Sequence, residues 1–185
     1  MVEVRSLAIP DVKMIRTARL CDARGYFCEA FHRSAFAEKG IPHDFVQDNQ
    51  SCSERIGTVR GLHFQRPPFA QAKLVRVLRG AILDVVVDLR RLSPTFGRHV
   101  SVELDSESDE QLFVPKGFAH GFCTLQPQTV VFYKVDEVYS PRHDGGLYWA
   151  DPELAIDWPV TTSEAQLSPK DRTLPTFGQL TSVFE

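Results

Sequence analysis

The 185-residue sequence predicts an all-β protein, a sandwich or a barrel. Three observations carry that prediction. Apolar and polar residues alternate over short runs, most cleanly in "FGRHVSVELD", the pattern of a strand with one buried face. Turns rich in Gly, Pro and Asp recur about every ten residues, the spacing of sandwich and barrel proteins. One run, "AILDVVVD", is apolar almost throughout, as a strand buried on both faces requires.

Each element follows in chain order. "MVEVRSLAIPDVKMIRTARL" carries charges every few residues and lacks the apolar run of a signal peptide. "SAFAEKG" (34–40) reads as a short helix with a glycine stop. "TVRGLHFQRPPFAQAKLVRV" (58–77) reads as two strands, unusual in carrying Arg60, His63 and Lys73. "KLVRVLRGAILDVVVDLR" reads as two strands joined at Arg79 and Gly80, the second buried on both sides. "FGRHVSVELD" ends at the polar "SESDE". "QLFVPKGFAHGFCTL" is a strand, a Pro-Lys-Gly turn and a strand, and "TVVFYKVDEVY" is a further strand ending near "SPRHDGG". From about 150 the tail is Pro-rich and irregular, and Leu154, Ile156 and Trp158 require burial. The tail is therefore expected to pack as a C-terminal extension (150–185) of a single domain spanning 1–185.

Composition narrows the function. At 43% hydrophobic the chain can bury a substantial core, and thirteen Phe against two Met favour rigid aromatic packing. A net charge of -3 argues against nucleic acid and anionic membranes as partners. No window approaches the roughly 20 apolar residues of a membrane span, so a soluble, cytoplasmic protein is expected. Cys21, Cys28, Cys52 and Cys123 form no Cys-x-x-Cys pair and are expected as free thiols.

A metal site is weighed first. Small barrels of the cupin type often hold a metal with a His-x-His pair, a carboxylate and a histidine after a Pro-x-Gly turn. "PKGFAH" supplies that last histidine, His120. "HFQ" does not supply the pair, because Gln65 follows His63 where a second imidazole would stand. Lys73, the next polar group facing the same interior, would repel a divalent cation. No metal and no cofactor are expected. A polar interior without a metal points to acid–base chemistry. A histidine can take a proton from a carbon acid, an ammonium can steady the resulting enolate, and a tyrosine can return a proton to the opposite face. Arginines suit a phosphorylated handle. Each group also has a structural reading: His63 as a hydrogen-bonding strand residue, Lys73 and Arg60 as solvated edge charges, Tyr133 as a core ring, Asp171 as a turn or cap. Spacing alone does not make them converge.

Eight collinear blocks resemble the dTDP-4-dehydrorhamnose 3,5-epimerase family: "DARGYFCE", "FVQDNQSCS", "VRGLHFQRPPFAQAKLVRV", "DVVVDLRRLSPTFG", "VPKGFAHGF", "YKVDEVYSP", "DPELAIDWP" and "LSPKD". The resemblance implies a cupin-like jelly-roll barrel with short helices, dimerising with N-terminal segments exchanged between subunits. It implies inversion of carbons 3 and 5 of dTDP-4-dehydro-6-deoxyglucose without metal or nicotinamide. His63 is similar to the family's proton acceptor, Asp171 to its orienting acid, Lys73 to the group near the enolate oxygen and Tyr133 to the proton donor. Arg24, Glu29, Gln47, Asn49, Arg60, His120 and Lys170 match positions lining the nucleotide-sugar site, with Arg24 and Glu29 reaching in from the neighbouring subunit. Phe27 and Tyr139 are expected as aromatic walls. Two positions depart from the family. Asp144 stands where a longer glutamate contacts substrate, and Val135-Asp136 follow Tyr133-Lys134 where Cys-Thr is more common. Relatives in antibiotic-sugar pathways keep the same His, Lys and Tyr yet invert only carbon 3 or carbon 5, the alternative reading beside a barrel that merely binds a nucleotide sugar.

Overall fold

The computed structural model describes residues 2–181 and 183–185. The strands are β1 (Val2–Ser6), β2 (Lys13–Thr17), β3 (Arg19–Asp22), β4 (Gly25–Cys28), β5 (Gln47–Ser53), β6 (Val59–Gln65), β7 (Lys73–Arg79), β8 (Ala81–Asp88), β9 (His99–Asp105), β10 (Glu110–Val114), β11 (Phe118–Thr124), β12 (Thr129–Val135) and β13 (Asp144–Gly146). One α-helix, α1 (Arg33–Glu38), lies between β4 and β5, and two short 3-10 helices, Asp171–Thr173 and Phe177–Gln179, lie in the tail. A six-stranded sheet runs β1-β2-β10-β7-β12-β5 and a five-stranded sheet runs β13-β6-β11-β8-β9, while among the described residues β3 and β4 pair only with each other. The paired neighbours are antiparallel throughout. The all-β, cupin-like expectation holds.

The strands expected on either side of Gly80 are present, but they do not pair with each other. β7 lies in the six-stranded sheet between β10 and β12, and β8 lies in the other between β11 and β9. Gly80, at φ +80°, turns the chain from one sheet to the other. The Pro-Lys-Gly turn does the same between β10 and β11. Met14, Val75, Leu112 and Val131 from one sheet meet Ile82, Val86, Leu104 and Phe122 from the other to form the inner core. Alternate residues of β8, Val85 and Val87, instead lie beneath the C-terminal tail with Leu62, Phe64, Leu154 and Phe184. This double covering is why "AILDVVVD" is apolar at nearly every position. Ile156 and Trp158 pack against the same layer, as the tail's composition predicted.

The helix expected at 34–40 is α1 with its glycine stop. His32 caps it by accepting the Ala35 N–H, and the fully buried Phe36 anchors it among Ile15, Ile41, Leu74 and Phe113. All four cysteines are free. Among the described residues no helix is long and apolar enough to cross a membrane.

One close approach positions the histidines. β6 and β11 cross with His63 opposite His120, and a register shift follows between His120 and Phe122. Gly61 has φ +121°, and a Cβ there would lie 2.6 Å from Gly121 Cα and 2.8 Å from the His120 carbonyl oxygen. Gly61→Ala must therefore push the two strands apart or distort the backbone. The expected cost is roughly 3 kcal/mol, read by calorimetry as a fall in Tm of about 10 °C for a chain of this size.

Candidate active site

His63 on β6, Lys73 at the start of β7, Tyr133 on β12 and Asp171 in the tail line one cavity of about 480 Å³. Arg60, His120 and Lys170 share its wall. An adjoining cavity of about 290 Å³ is bounded by Gln47, Asn49, Tyr139 and Asp144, and His63, Lys73, Tyr133 and Lys170 stand between the two. Strand alternation explains the grouping: Tyr133 pairs with Val75 on β7 and Val135 with Lys73, so alternate residues face the same interior.

The central pair is His63 with Asp171. His63 Nε2 donates to Asp171 Oδ1 at 2.6 Å, across 108 positions of sequence. Asp171 is 2% exposed. Burial raises its affinity for a proton, but the His63 hydrogen bond and charge, Ser168 and the Gly61 N–H outweigh burial and hold the carboxyl below its ordinary range. An ionised acceptor at Nε2 leaves Nδ1 as the basic nitrogen.

Lys73 is buried, and among the described residues its Nζ donates only a long bond, 3.4 Å, to the His63 carbonyl oxygen. Burial lowers its pKa to about 8, an effect that Asp84 and Asp144 oppose and Lys170 reinforces. Burial raises the Tyr133 phenol, against the opposing charge of Arg60, so the phenol is neutral at physiological pH. Arg60 donates to Ser53 Oγ and the Cys52 carbonyl oxygen, both at 3.1 Å, which steadies its guanidinium at the cavity edge.

The second cavity has its own network. Gln47 donates to Asn49 Oδ1 at 2.9 Å and accepts the Tyr139 N–H at 3.0 Å. Asp144 Oδ2 accepts from the Tyr139 hydroxyl at 3.0 Å and from Lys170 Nζ at 2.5 Å. The short Asp144 side chain is thus engaged by two other expected site residues.

Gln65, weighed as a metal position, is fully occupied otherwise. Its amide donates to the Phe69 and Val138 carbonyl oxygens at 2.7 and 3.1 Å and accepts the Ser140 N–H at 2.6 Å. That bonding fastens β6 to the segment carrying Tyr139.

Three expected residues do not reach either cavity within this chain. Arg24, Phe27 and Glu29 belong to the β3–β4 hairpin or follow it, with Arg24 paired to Asp22 and Phe27 66% exposed. One residue was missed. Asp84, 0% exposed, accepts from His120 Nε2 at 2.6 Å and acts on Lys73. Its signal was legible as a lone charge in the middle of "AILDVVVD", since a carboxylate in a doubly covered strand needs a partner.

A cupin-like barrel that gathers a histidine–carboxylate pair, an ammonium and a phenol around one cavity carries the groups that an acid–base isomerase needs. The dTDP-4-dehydrorhamnose 3,5-epimerase family profile matches residues 6–179. The dTDP-4-dehydrorhamnose 3,5-epimerase of Sinorhizobium fredii is 51% identical over 181 residues, covering 98% of this chain and 92% of that protein. The solved Bacillus anthracis enzyme of the same name, with TDP and PPi bound, superposes at a TM-score of 0.92 with 50% identity, over 96% of this chain and 100% of that one. The Legionella pneumophila dTDP-6-deoxy-D-glucose-3,5-epimerase, solved in complex with dTDP-4-keto-L-rhamnose, gives 0.93 at 41% identity, over 98% and 95%. This chain belongs to the dTDP-4-dehydrorhamnose 3,5-epimerase family and is an isomerase.

Proposed function

We propose that the protein inverts carbons 3 and 5 of dTDP-4-dehydro-6-deoxyglucose to give dTDP-4-dehydro-L-rhamnose, using its own side chains and no cofactor. The observation carrying this reading is the His63–Asp171 pair opening on the same cavity as Lys73 and Tyr133. Both carbons flank the carbon 4 ketone, so loss of either hydrogen leaves an enolate. His63 Nδ1 takes the proton, and Asp171 stabilises the imidazolium that forms. The Lys73 ammonium stabilises the oxygen at carbon 4 as charge develops there. Tyr133 delivers a proton to the opposite face of the same carbon, the enolate collapses to the ketone, and the stereocentre is inverted. Solvent then restores the proton on Tyr133 and removes the one on His63. Two such cycles complete the double epimerisation.

Arg60 and Lys170 suit the diphosphate by charge. Gln47, Asn49, Tyr139, Asp144 and His120 complete the sugar-nucleotide contacts. The protein works as a homodimer in which the β3–β4 hairpin inserts into the partner, so that Arg24, Phe27 and Glu29 serve the neighbouring cavity. In support, that hairpin pairs only with itself and leaves Leu20, Tyr26 and Phe27 more than half exposed, at 67%, 56% and 66%.

Turnover in deuterated water tests the reaction. Deuterium is expected at carbons 3 and 5 of the product, both inverted, by NMR against an enzyme-free control. Label and inversion at one carbon would make the protein a mono-epimerase. No exchange above the control would refute the reading.

A further inference from the structure

Asp136 follows β12 directly and has a 7% exposed side chain. Its Oδ1 accepts the Ala72 N–H at 2.7 Å, and its own N–H donates to the Ala72 carbonyl oxygen at 3.3 Å. Its Oδ2 meets His43 Nδ1 at 2.8 Å and Lys116 Nζ at 3.2 Å. One carboxylate thereby ties together the loop before β5, the Pro-Lys-Gly turn, the entry to β7 and the exit of β12.

Ala72 immediately precedes Lys73, and Lys73 sits where the sheet runs out. Its partners Val114 and Val135 are the last residues of β10 and β12. Past this point the ladder no longer holds the entry to β7, and Asp136 takes over, gripping Ala72 through side chain and backbone together. The Lys73 ammonium has only its long bond to the His63 carbonyl, so its location depends on where the backbone begins the strand.

We propose that Asp136 is the positioning residue for Lys73: by anchoring Ala72 it sets the start of β7 and holds the ammonium in the cavity. The kinetic consequence rests on the proposed function; the placement does not. The action is through geometry rather than charge. The charges bearing on Lys73 are Asp84 on β8, Asp144 on β13 and Lys170 in the tail, with His63 and Tyr133 beside it, while Asp136 is answered locally by His43 and Lys116.

Two substitutions separate position from charge. Asp136→Asn keeps an acceptor for the Ala72 N–H and removes the charge. Asp136→Glu keeps the charge and moves the carboxylate outward by a methylene. Lys73 is followed by carbon-13 NMR of protein labelled at its lysines, with Lys73→Arg for assignment, alongside kcat and KM on dTDP-4-dehydro-6-deoxyglucose. In D136N, Lys73 is expected to titrate near 8 as in the parent, with kcat within about threefold. In D136E, the ammonium is expected to relax toward water and titrate nearer the ordinary 10.5, with kcat down roughly 10–100-fold and KM little changed. D136A, which removes the acceptor without adding bulk, is expected to follow D136E and replaces it should the glutamate variant not fold. Parent-like titration in D136E or D136A overturns the proposal, as does a D136N shift equal to theirs. A parent protein inert toward the sugar nucleotide refutes the proposed function alone, because the titration still decides the role of Asp136.

Discussion

His63→Ala is expected to lower kcat by about 10²–10⁴, the contribution of a positioned general base, while the protein still binds dTDP. The reason lies in the geometry of one ring. Asp171 accepts from Nε2 at 2.6 Å, which orients the imidazole and leaves Nδ1 as the nitrogen that would take the carbon-bound proton in the proposed reaction. Removing the ring also strips a nearly buried carboxylate of its principal donor, so alanine alone would mix catalytic and structural loss. His63→Gln separates them, since an amide can donate to Asp171 yet cannot accept a proton. Both variants are expected to show deuterium entry at both carbons slowed by the same factor, with calorimetric dTDP binding within a few-fold of the parent. A variant that keeps most of its turnover would move the base elsewhere, with His120 and its Asp84 partner the next pair to test.

Lys73→Met should cost roughly 10²–10³ in kcat, the usual effect of losing an oxyanion donor. It also carries a sign in pH. In the proposed reaction Lys73 acts only as the ammonium, and burial brings its pKa to about 8. Activity is therefore expected to fall as pH rises through about 8. Lys73→Arg stays charged throughout, so its weaker activity should lack that alkaline limb. Stability runs the other way. Between about 8 in the fold and the ordinary 10.5 unfolded, the unfolded chain binds more protons, so folding strengthens as pH rises through this window. At neutral pH the buried ammonium is a cost, and Lys73→Met is expected to melt higher than the parent. A methionine variant that is both active and less stable would contradict both halves of the argument.

The same contrast between local pattern and distant contact runs through the whole chain. Local chemistry was legible wherever period or punctuation expresses it. Continuous apolarity marked the doubly covered β8, Gly80 marked a turn, and Leu154, Ile156 and Trp158 marked a tail that packs. Strands β1 to β5 escaped notice: "VEVRS" is too short for its alternation to stand out, and "KMIRT" breaks alternation by burying Met14 and Ile15 side by side. β13, three residues long, carries no periodic signal at all.

Arg60, His63 and Lys73 were singled out from chain proximity, and the motif order pointed to the family before any fold was known. That much depends on residue type and spacing, which sequence carries directly. Whether Gly80 closes a hairpin or switches sheets depends on which partners compete for β7 and β8, and those partners come from four other strands. The His63–Asp171 bond, the burial that lowers Lys73, the Asp84–His120 pair and the Asp136 anchor are likewise properties of surroundings. Hydrogen bonds and desolvation act over a few ångströms of space, and only the packed barrel brings residues 108 positions apart within that range.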